Sequence, residues 1–437
     1  MRHIRTLVTA SAMLLASVSA YAQTTVTIGT VNNSDMVVMK ELSKKFEESH
    51  PNIKLNWVVL EENVLRQRLT TDIATKSGQF DVMTIGLYEA PMWGKLGWLA
   101  PFENPPASYR IDDVLKSVRD GLAVDGKQYA LPFYAESQMT FYRKDLFDAA
   151  GLTMPEEPKW TDIERFAEKL NNPNKGIYGI CLRGKPGWGE NVGQITPAAN
   201  GFGARWFDMD WKPQLTSPEW KAALTTYTGL LKKYGPPGAA SNGFNENLAL
   251  FASGNCAMWI DATVAASFLA DQNQSTVIGK VGYAMSPYGT SKTGYHYLWA
   301  WALGVPVSSK SKAAAQQFIY WATSPEYIKL VASTRGWAAV PPGTRTSTYA
   351  SKEYLDAAPF AKMTLKSIES TDLRNPTKDK VPYYGIGFVG IPEFQSLGTT
   401  AGQEFTAVLT GEKTVDQALG NVQKFTERTM KEAGYIK

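Results

Sequence analysis

The chain has 437 residues, 44% of them hydrophobic, and its 45 Lys and Arg stand against 41 Asp and Glu for a formal net charge of +4. That length and apolar content exclude a single small domain, and the near-balanced charge leaves no electrostatic footprint for nucleic acid or a membrane surface. Clusters such as Lys44-Lys45 before Glu47-Glu48 mix signs and read as a solvated helix face, and there is no low-complexity tract or fixed-period repeat.

Residues 1–22 set the compartment. Arg2 and Arg5 precede an apolar run over 7–18, and the stretch closes on Ala20-Tyr21-Ala22, the pattern of a cleaved secretory signal. The expected product is a soluble periplasmic protein beginning near Gln23. An uncleaved anchor is the weaker reading, because the run is short and rich in Ser and Ala. No Cys sits at the cleavage step to take a lipid, so a lipoprotein is not expected, and no later stretch is apolar and long enough to span a bilayer.

Residues 25–31 form a β-rich run. The capping cluster Asn32-Asn33-Ser34-Asp35 follows, and then a helix with Val38, Leu42 and Phe46 on one face, stopped by Pro51. Ile53, Leu55, Trp57 and Val59 alternate as a second strand. Leu65, Leu69 and Ile73 mark a second helix ending at Gly78, and 80–85 is a third strand. This βαβαβ order predicts a parallel sheet with right-handed crossovers. Ligands of such sheets bind beyond the carboxyl ends of the strands, which singles out Asn33 and Asp35 after the first strand and Tyr88 and Glu89 after the third. For Asn33 and Asp35, capping a helix is an equal alternative. Asp112-Asp113 reads as an exposed helix start where the acids cap.

Three later segments set aromatics beside polar groups: 131–137, with Tyr134 and Glu136; 182–188, with Arg183 and Trp188; and 299–304, with Trp299 and Trp301. The chain carries 13 Trp and 20 Tyr, more amphipathic rings than an ordinary core requires. Such rings suit a carbohydrate, whose C–H surface rests on aromatic faces while its hydroxyls need Asp, Glu, Asn and Arg. Any single Trp is otherwise a core residue. The two cysteines, Cys181 and Cys256, are bridged or merely buried; the apolar run around Cys256 favours a buried thiol. Asp261 follows that run, at a strand end or as the cap of a helix over 262–270.

Catalytic and cofactor motifs are scarce in the sequence. Beyond the signal only His50 and His296 remain, with no H-E-x-x-H, no Cys/His cluster and no G-x-S-x-G, so neither a metal nor a cofactor is expected. Gly385-Ile386-Gly387-Phe388-Val389-Gly390 matches a dinucleotide fingerprint formally. It lacks the flanking strand and helix and reads as a loop. A secreted glycoside hydrolase acting through Glu89 and Glu136 is the enzymatic alternative, since it needs only two carboxylates and aromatic platforms.

The run from Lys45 through His50-Pro51-Asn52 to Leu55, then Gly78-Gln79-Phe80-Asp81-Val82-Met83, resembles the opening of the extracellular solute-binding proteins of bacterial sugar importers. Tyr129-Ala130-Leu131-Pro132-Phe133-Tyr134, the blocks over 141–147 and 251–258, Gly304-Val305-Pro306 and Ser324-Pro325-Glu326 continue the likeness in order over nearly the whole mature chain. Glu136-Ser137, Cys181-Leu182-Arg183-Gly184, Trp299-Ala300-Trp301 and Arg335-Gly336-Trp337 look most like the sorbitol/mannitol polyol-binding branch.

The resemblance implies a type II periplasmic-binding-protein fold, two α/β lobes with mostly parallel sheets around a ligand cleft. The N-lobe would take 24–133 and 288–334, and the C-lobe 134–287 and 335–437. It further implies a monomer without catalytic activity that closes on a polyol, or alternatively on an aldose or oligosaccharide, and delivers it to an ABC permease of the inner membrane. Strand position and likeness together give the expected contacts as Asn33, Asp35, Tyr88, Glu89, Trp299 and Trp301 from one lobe. From the other come Tyr134, Glu136, Arg183, Trp188, Asp261 and Trp337.

Overall fold

The computed structural model describes residues 23–291 and 295–437, and the expected signal at 1–22 lies outside them. β1 (Thr24–Val31) and β2 (Ile53–Leu60) pair in parallel over their full length, from Thr24 opposite Ile53 to Val31 opposite Leu60, and β3 (Val82–Ile85) lies parallel on the other side of β1. This register brings the carboxyl ends of β1 and β2 level, so the helices that follow, Ser34–Leu42 and Glu62–Thr75, start side by side. Leu65, Leu69 and Ile73 are buried as their four-residue spacing predicts.

The first helix departs from the expected pattern. The chain breaks at Ser43 into Ser34–Leu42 and Lys44–Ser49, and the inward residues are Met36, Met39 and Phe46, with Val38 and Leu42 only partly buried. The break resets the helical phase, so a face extrapolated across it rotates away from the core. The second helix ends at Lys76, itself left-handed at φ 54°, two residues before Gly78.

β4 (Leu99–Ala100) and a small hairpin of β5 (Ala123–Val124) and β6 (Lys127–Gln128) precede the long strand β7 (Ala130–Glu136). β8 (Gln138–Arg143) pairs antiparallel with β9 (Met258–Ala262) and β10 (Val281–Met285) in a second sheet. β11 (Trp299–Pro306) runs antiparallel to β3, β4 and β7 in the first. The chain thus passes from the first sheet to the second at Ser137, between β7 and β8, and Tyr134 to Glu136 still belong to the first.

Neither sheet is mostly parallel: the first is mixed and the named strands of the second are antiparallel, because the strands that cross between the two bodies run against their neighbours. On the return leg, Tyr288 bridges Lys159, and Gly289 and Ser291 donate their amides to the Gly201 carbonyl, so 288–291 stay with the second sheet.

Cys181 and Cys256 are joined in a disulfide, Cα–Cα 6.0 Å, which corrects the preference for a buried thiol. Parallel bridges of Tyr178 to Cys256 and of Cys181 to Trp259 hold the segment before Arg183 along β9 and bring the two cysteines together. Asp113 is not an exposed cap. Its carboxylate accepts from the Ser347 amide and hydroxyl and pairs with the fully buried Arg345. Part of the tryptophan surplus goes to packing, since Trp206, Trp220 and Trp259 are wholly buried.

Candidate functional site

A cavity of about 200 Å³ lies between the two sheets. Its size falls below the roughly 300–1,000 Å³ of drug-sized sites and suits a small ligand. The ladder between β7 and β11 builds one wall. Trp299 sits opposite Glu136 and Trp301 opposite Tyr134, and with a two-residue period all four side chains reach the cavity. Backbone approach fixes one ring: a Cβ on Gly86 would stand 2.0 Å from the Trp299 indole, so only glycine leaves the ring its place.

The converging helix starts supply the next part. Asn33 caps Ser34–Leu42 by accepting the Met36 amide at 3.0 Å, and its Nδ2 donates to the Tyr134 hydroxyl at 3.0 Å. Glu61 caps Glu62–Thr75 by accepting the Asn63 and Val64 amides. One turn on, Arg66 donates to Glu62 at 2.8 and 3.0 Å and to Glu89 at 2.5 Å. Its guanidinium lies 3.9 Å from the Trp188 ring centre, 4.8 Å from Trp301 and 5.0 Å from Trp299, a cation held against three aromatic faces.

From the second body comes the turn Trp188–Val192, wound with π-type spacing, where Glu190 takes a non-helical φ of -98° and ψ of -106°. Gly187 and Gly189 let this turn meet the opposing helix, since a Cβ on Gly189 would lie 2.0 Å from Glu62 Oε1. Arg183, buried, donates through Nε and Nη2 to Asp261 at 2.6 to 3.1 Å and through Nη1 to the Gly189 carbonyl at 3.0 Å and Glu190 at 3.3 Å. Asp261 also accepts from Trp259 Nε1 at 3.1 Å and Gln194 Nε2 at 3.3 Å. Burial pushes the Glu190 carboxyl above its ordinary range against the pull of Arg183. Glu136 stands apart: its Oε2 is buried without a hydrogen-bond partner among the described residues, and burial raises it well above the usual carboxyl range.

Of the twelve residues expected from the sequence, Asn33, Tyr134, Glu136, Arg183, Trp188, Trp299 and Trp301 line the cavity. The other five stand elsewhere. Asp35 points to the core side of its helix with Met36 and Met39, because the cap at Asn33 sets the helical phase. Tyr88 donates to the Ile391 and Pro392 carbonyls and sets its ring edge-on to Trp188 at 5.0 Å, behind that wall. Glu89 is separated from the cavity by Arg66, and Asp261 by Arg183. Asp261 does not cap a helix over 262–270 either; it belongs to β9, and the helix spans Ala265–Leu269. Trp337 starts the short turn Trp337–Ala339 beyond the helix Pro325–Arg335, half-buried on other packing, where Gly336 at φ 89° redirects the chain.

The cavity also takes residues the sequence did not single out, among them Glu61, Glu62, Arg66, Lys185, Glu190, Gln194, Tyr297 and Phe388. The rule that drew attention to Asn33 applies equally to the loop after β2 and would have found Glu61 and Glu62. Phe388 lies in the loop over 385–390 that matches the dinucleotide fingerprint only formally. No local signal marks Glu190 or Gln194, because a π-type turn has no residue signature. Across the cavity mouth the two sides touch: Lys185 pairs with Glu61 at 2.7 Å, Asn245 donates to the Asn32 carbonyl at 3.1 Å, and Asn63 to that of Pro186 at 3.4 Å.

Comparison with known proteins places this architecture. Residues 32–329 match the family of bacterial extracellular solute-binding proteins. Over 428 residues, 98% of each chain, the sequence is 58% identical to a mannitol-binding protein of Pseudomonas aeruginosa. An ABC-transporter solute-binding protein of Agrobacterium vitis, solved with bound D-mannitol, is 58% identical and superposes with a TM-score of 0.93 over 94% of this chain and 100% of that one. Another from Agrobacterium radiobacter, in complex with ribitol, is 25% identical with a TM-score of 0.83 over 94% and 99%. The chain belongs to the bacterial extracellular solute-binding proteins, with their two-lobed α/β fold. It is a binding protein and not an enzyme, which overturns the glycoside hydrolase alternative.

Proposed function

We propose that this solute-binding protein captures a sugar alcohol, a hexitol such as D-mannitol, between its lobes and hands it unaltered to a membrane permease. The observation that carries the reading is the 58% identity, over 98% of both chains, to a mannitol-binding protein. The cavity supports it. A linear polyol needs hydrogen-bond partners along its length and apolar support for its C–H edge. Asn33, Glu62, Glu136, Arg183 and Gln194 are the proposed partners, and Trp188, Trp299, Trp301, Tyr134 and Phe388 the proposed walls. The volume of about 200 Å³ favours one small polyol over an oligosaccharide.

Capture works by closure. The lobes, expected as 24–133 with 288–334 and 134–287 with 335–437, hinge where the chain crosses between the sheets, which on the outward leg is Ser137 and on the return leg lies beyond Ser291. A ligand touching both sides stabilises the closed arrangement through contacts an open cleft lacks. The protein acts as a periplasmic monomer after loss of 1–22, and the permease reads the closed surface while a separate ATPase drives transport.

Calorimetry and thermal shift on the purified protein with D-mannitol, D-sorbitol, ribitol, D-glucose and maltotriose test this, with chromatography of the spent ligands. The expected result is tightest binding of a hexitol, a raised Tm, and recovery of every ligand intact. Tighter binding of an aldose or oligosaccharide, or no hexitol binding, would overturn the reading.

A further inference from the structure

We infer that this cavity also selects by charge, and that Glu136 makes it a site for monocationic amino alcohols of hexitol length alongside neutral polyols; the inference rests on the polyol reading above. Among the described residues each cation in the cavity wall is already matched: Arg66 by Glu62 and Glu89, Arg183 by Asp261 and Glu190, Lys185 by Glu61 and Glu190. Glu136 is left over. It is 6% exposed, it lines the cavity, and its Oε2 is buried without a hydrogen-bond partner among the described residues. The charges that act on it are Arg183, which attracts, and Asp261, Glu62 and Asp35, which repel, with the Tyr134 and Tyr297 hydroxyls also coupled to it and Trp299 across the ladder.

A buried carboxyl without its own cation stays protonated, which agrees with the upward push that burial gives Glu136. In that form it can both donate to and accept from a polyol hydroxyl. Replacing one terminal hydroxyl of the ligand by an ammonium keeps the number of heavy atoms and supplies the missing counter-ion. The Glu136 carboxyl then releases its proton to solvent, the ammonium keeps its three N–H bonds, and one of them donates to the new carboxylate. No covalent bond of the ligand changes. A ligand ending in a carboxylate meets an acid surplus and, among the described residues, no unmatched cation, a like-charge contact that opposes binding.

The test is calorimetry on the purified protein near pH 7 with three matched ligands: D-mannitol, its terminal amino analogue, and D-mannonate. Each is measured in two buffers of different ionisation enthalpy. The amino analogue should bind within about tenfold of D-mannitol and release about one proton per complex, D-mannitol should release none, and D-mannonate should not bind. Glu136→Gln should lower the ratio of amino-analogue to D-mannitol affinity by at least about tenfold, the scale of a charged hydrogen bond. D-mannitol binding without binding of the amine, amine binding without proton release, mannonate binding on a par with D-mannitol, or an unchanged ratio in the variant would overturn the inference alone. Should the variant fail to fold, the wild-type proton count and the mannonate comparison still decide. Absence of D-mannitol binding would overturn the polyol reading and this inference with it.

Discussion

Replacing Arg183 by Ala removes the guanidinium that holds Asp261, a carboxylate that is 0% exposed and takes Nε and Nη2 of that arginine at 2.6 to 3.1 Å. As a ligand contact alone, Arg183 would leave the fold intact when replaced and only weaken binding. With Asp261 buried behind it, the cost extends to stability, about 3–5 kcal/mol for a buried charge stripped of its partner. Urea unfolding of Arg183→Ala should show that loss, and calorimetry the loss of polyol binding. Adding Asp261→Asn should recover much of the stability and none of the binding.

Asp35 carries a different signature. It is buried, its Oδ2 has no hydrogen-bond partner among the described residues, and burial pushes its carboxyl from 3.8 up to about 7. The folded state therefore holds a proton that the unfolded chain gives up between pH 4 and 7, so stability falls as pH rises through that window. Asp35→Asn should be more stable than the parent at pH 8 and nearly equal to it at pH 4, by chemical denaturation at both values.

At the scale of elements, the disulfide and the glycine contacts place the binding groups. Cys181–Cys256 closes a separation of 75 residues and fastens the segment leading to Arg183 onto the start of the strand that carries Asp261. Replacing both cysteines by Ala should cost about 2–4 kcal/mol of unfolding free energy, mainly by freeing the unfolded chain. The loop after β3 acts through Gly86. A Cβ there meets the Trp299 indole at 2.0 Å, a rigid ring with the ladder at its back, so Gly86→Ala should displace it and weaken polyol affinity about tenfold or more by calorimetry.

For the whole molecule, the contacts across the cavity mouth hold the two sides together. The Lys185–Glu61 pair is partly exposed, 24% and 42% for the side chains, so it contributes on the order of 1 kcal/mol at most. Glu61→Gln, which leaves Lys185 its Glu190 partner, should raise the polyol dissociation constant less than about fivefold, expressed mainly in the off-rate, and ligand-free protein should scatter with a slightly larger radius of gyration. Much of this architecture was legible beforehand. The spacing of Leu65, Leu69 and Ile73 gave the second helix, and the βαβαβ order gave parallel pairing of β1 with β2 and β3. The aromatic segments pointed to Tyr134, Trp188, Trp299 and Trp301, all on the cavity wall.

What the sequence determined by itself is local: which runs are apolar, where caps and breakers stand, and that the chain carries an aromatic and polar set suited to hydroxyl-rich ligands. The tertiary structure decided which of these groups meet. Asn33 and Asp35 are two residues apart in one cluster, yet one lines the cavity and the other faces the core, because the helical phase set by a single cap turns them to opposite sides. Arg66, Glu190 and Phe388 come from segments more than a hundred residues apart, and their convergence follows from sheet register and from the chain crossing between lobes, quantities that no local window contains.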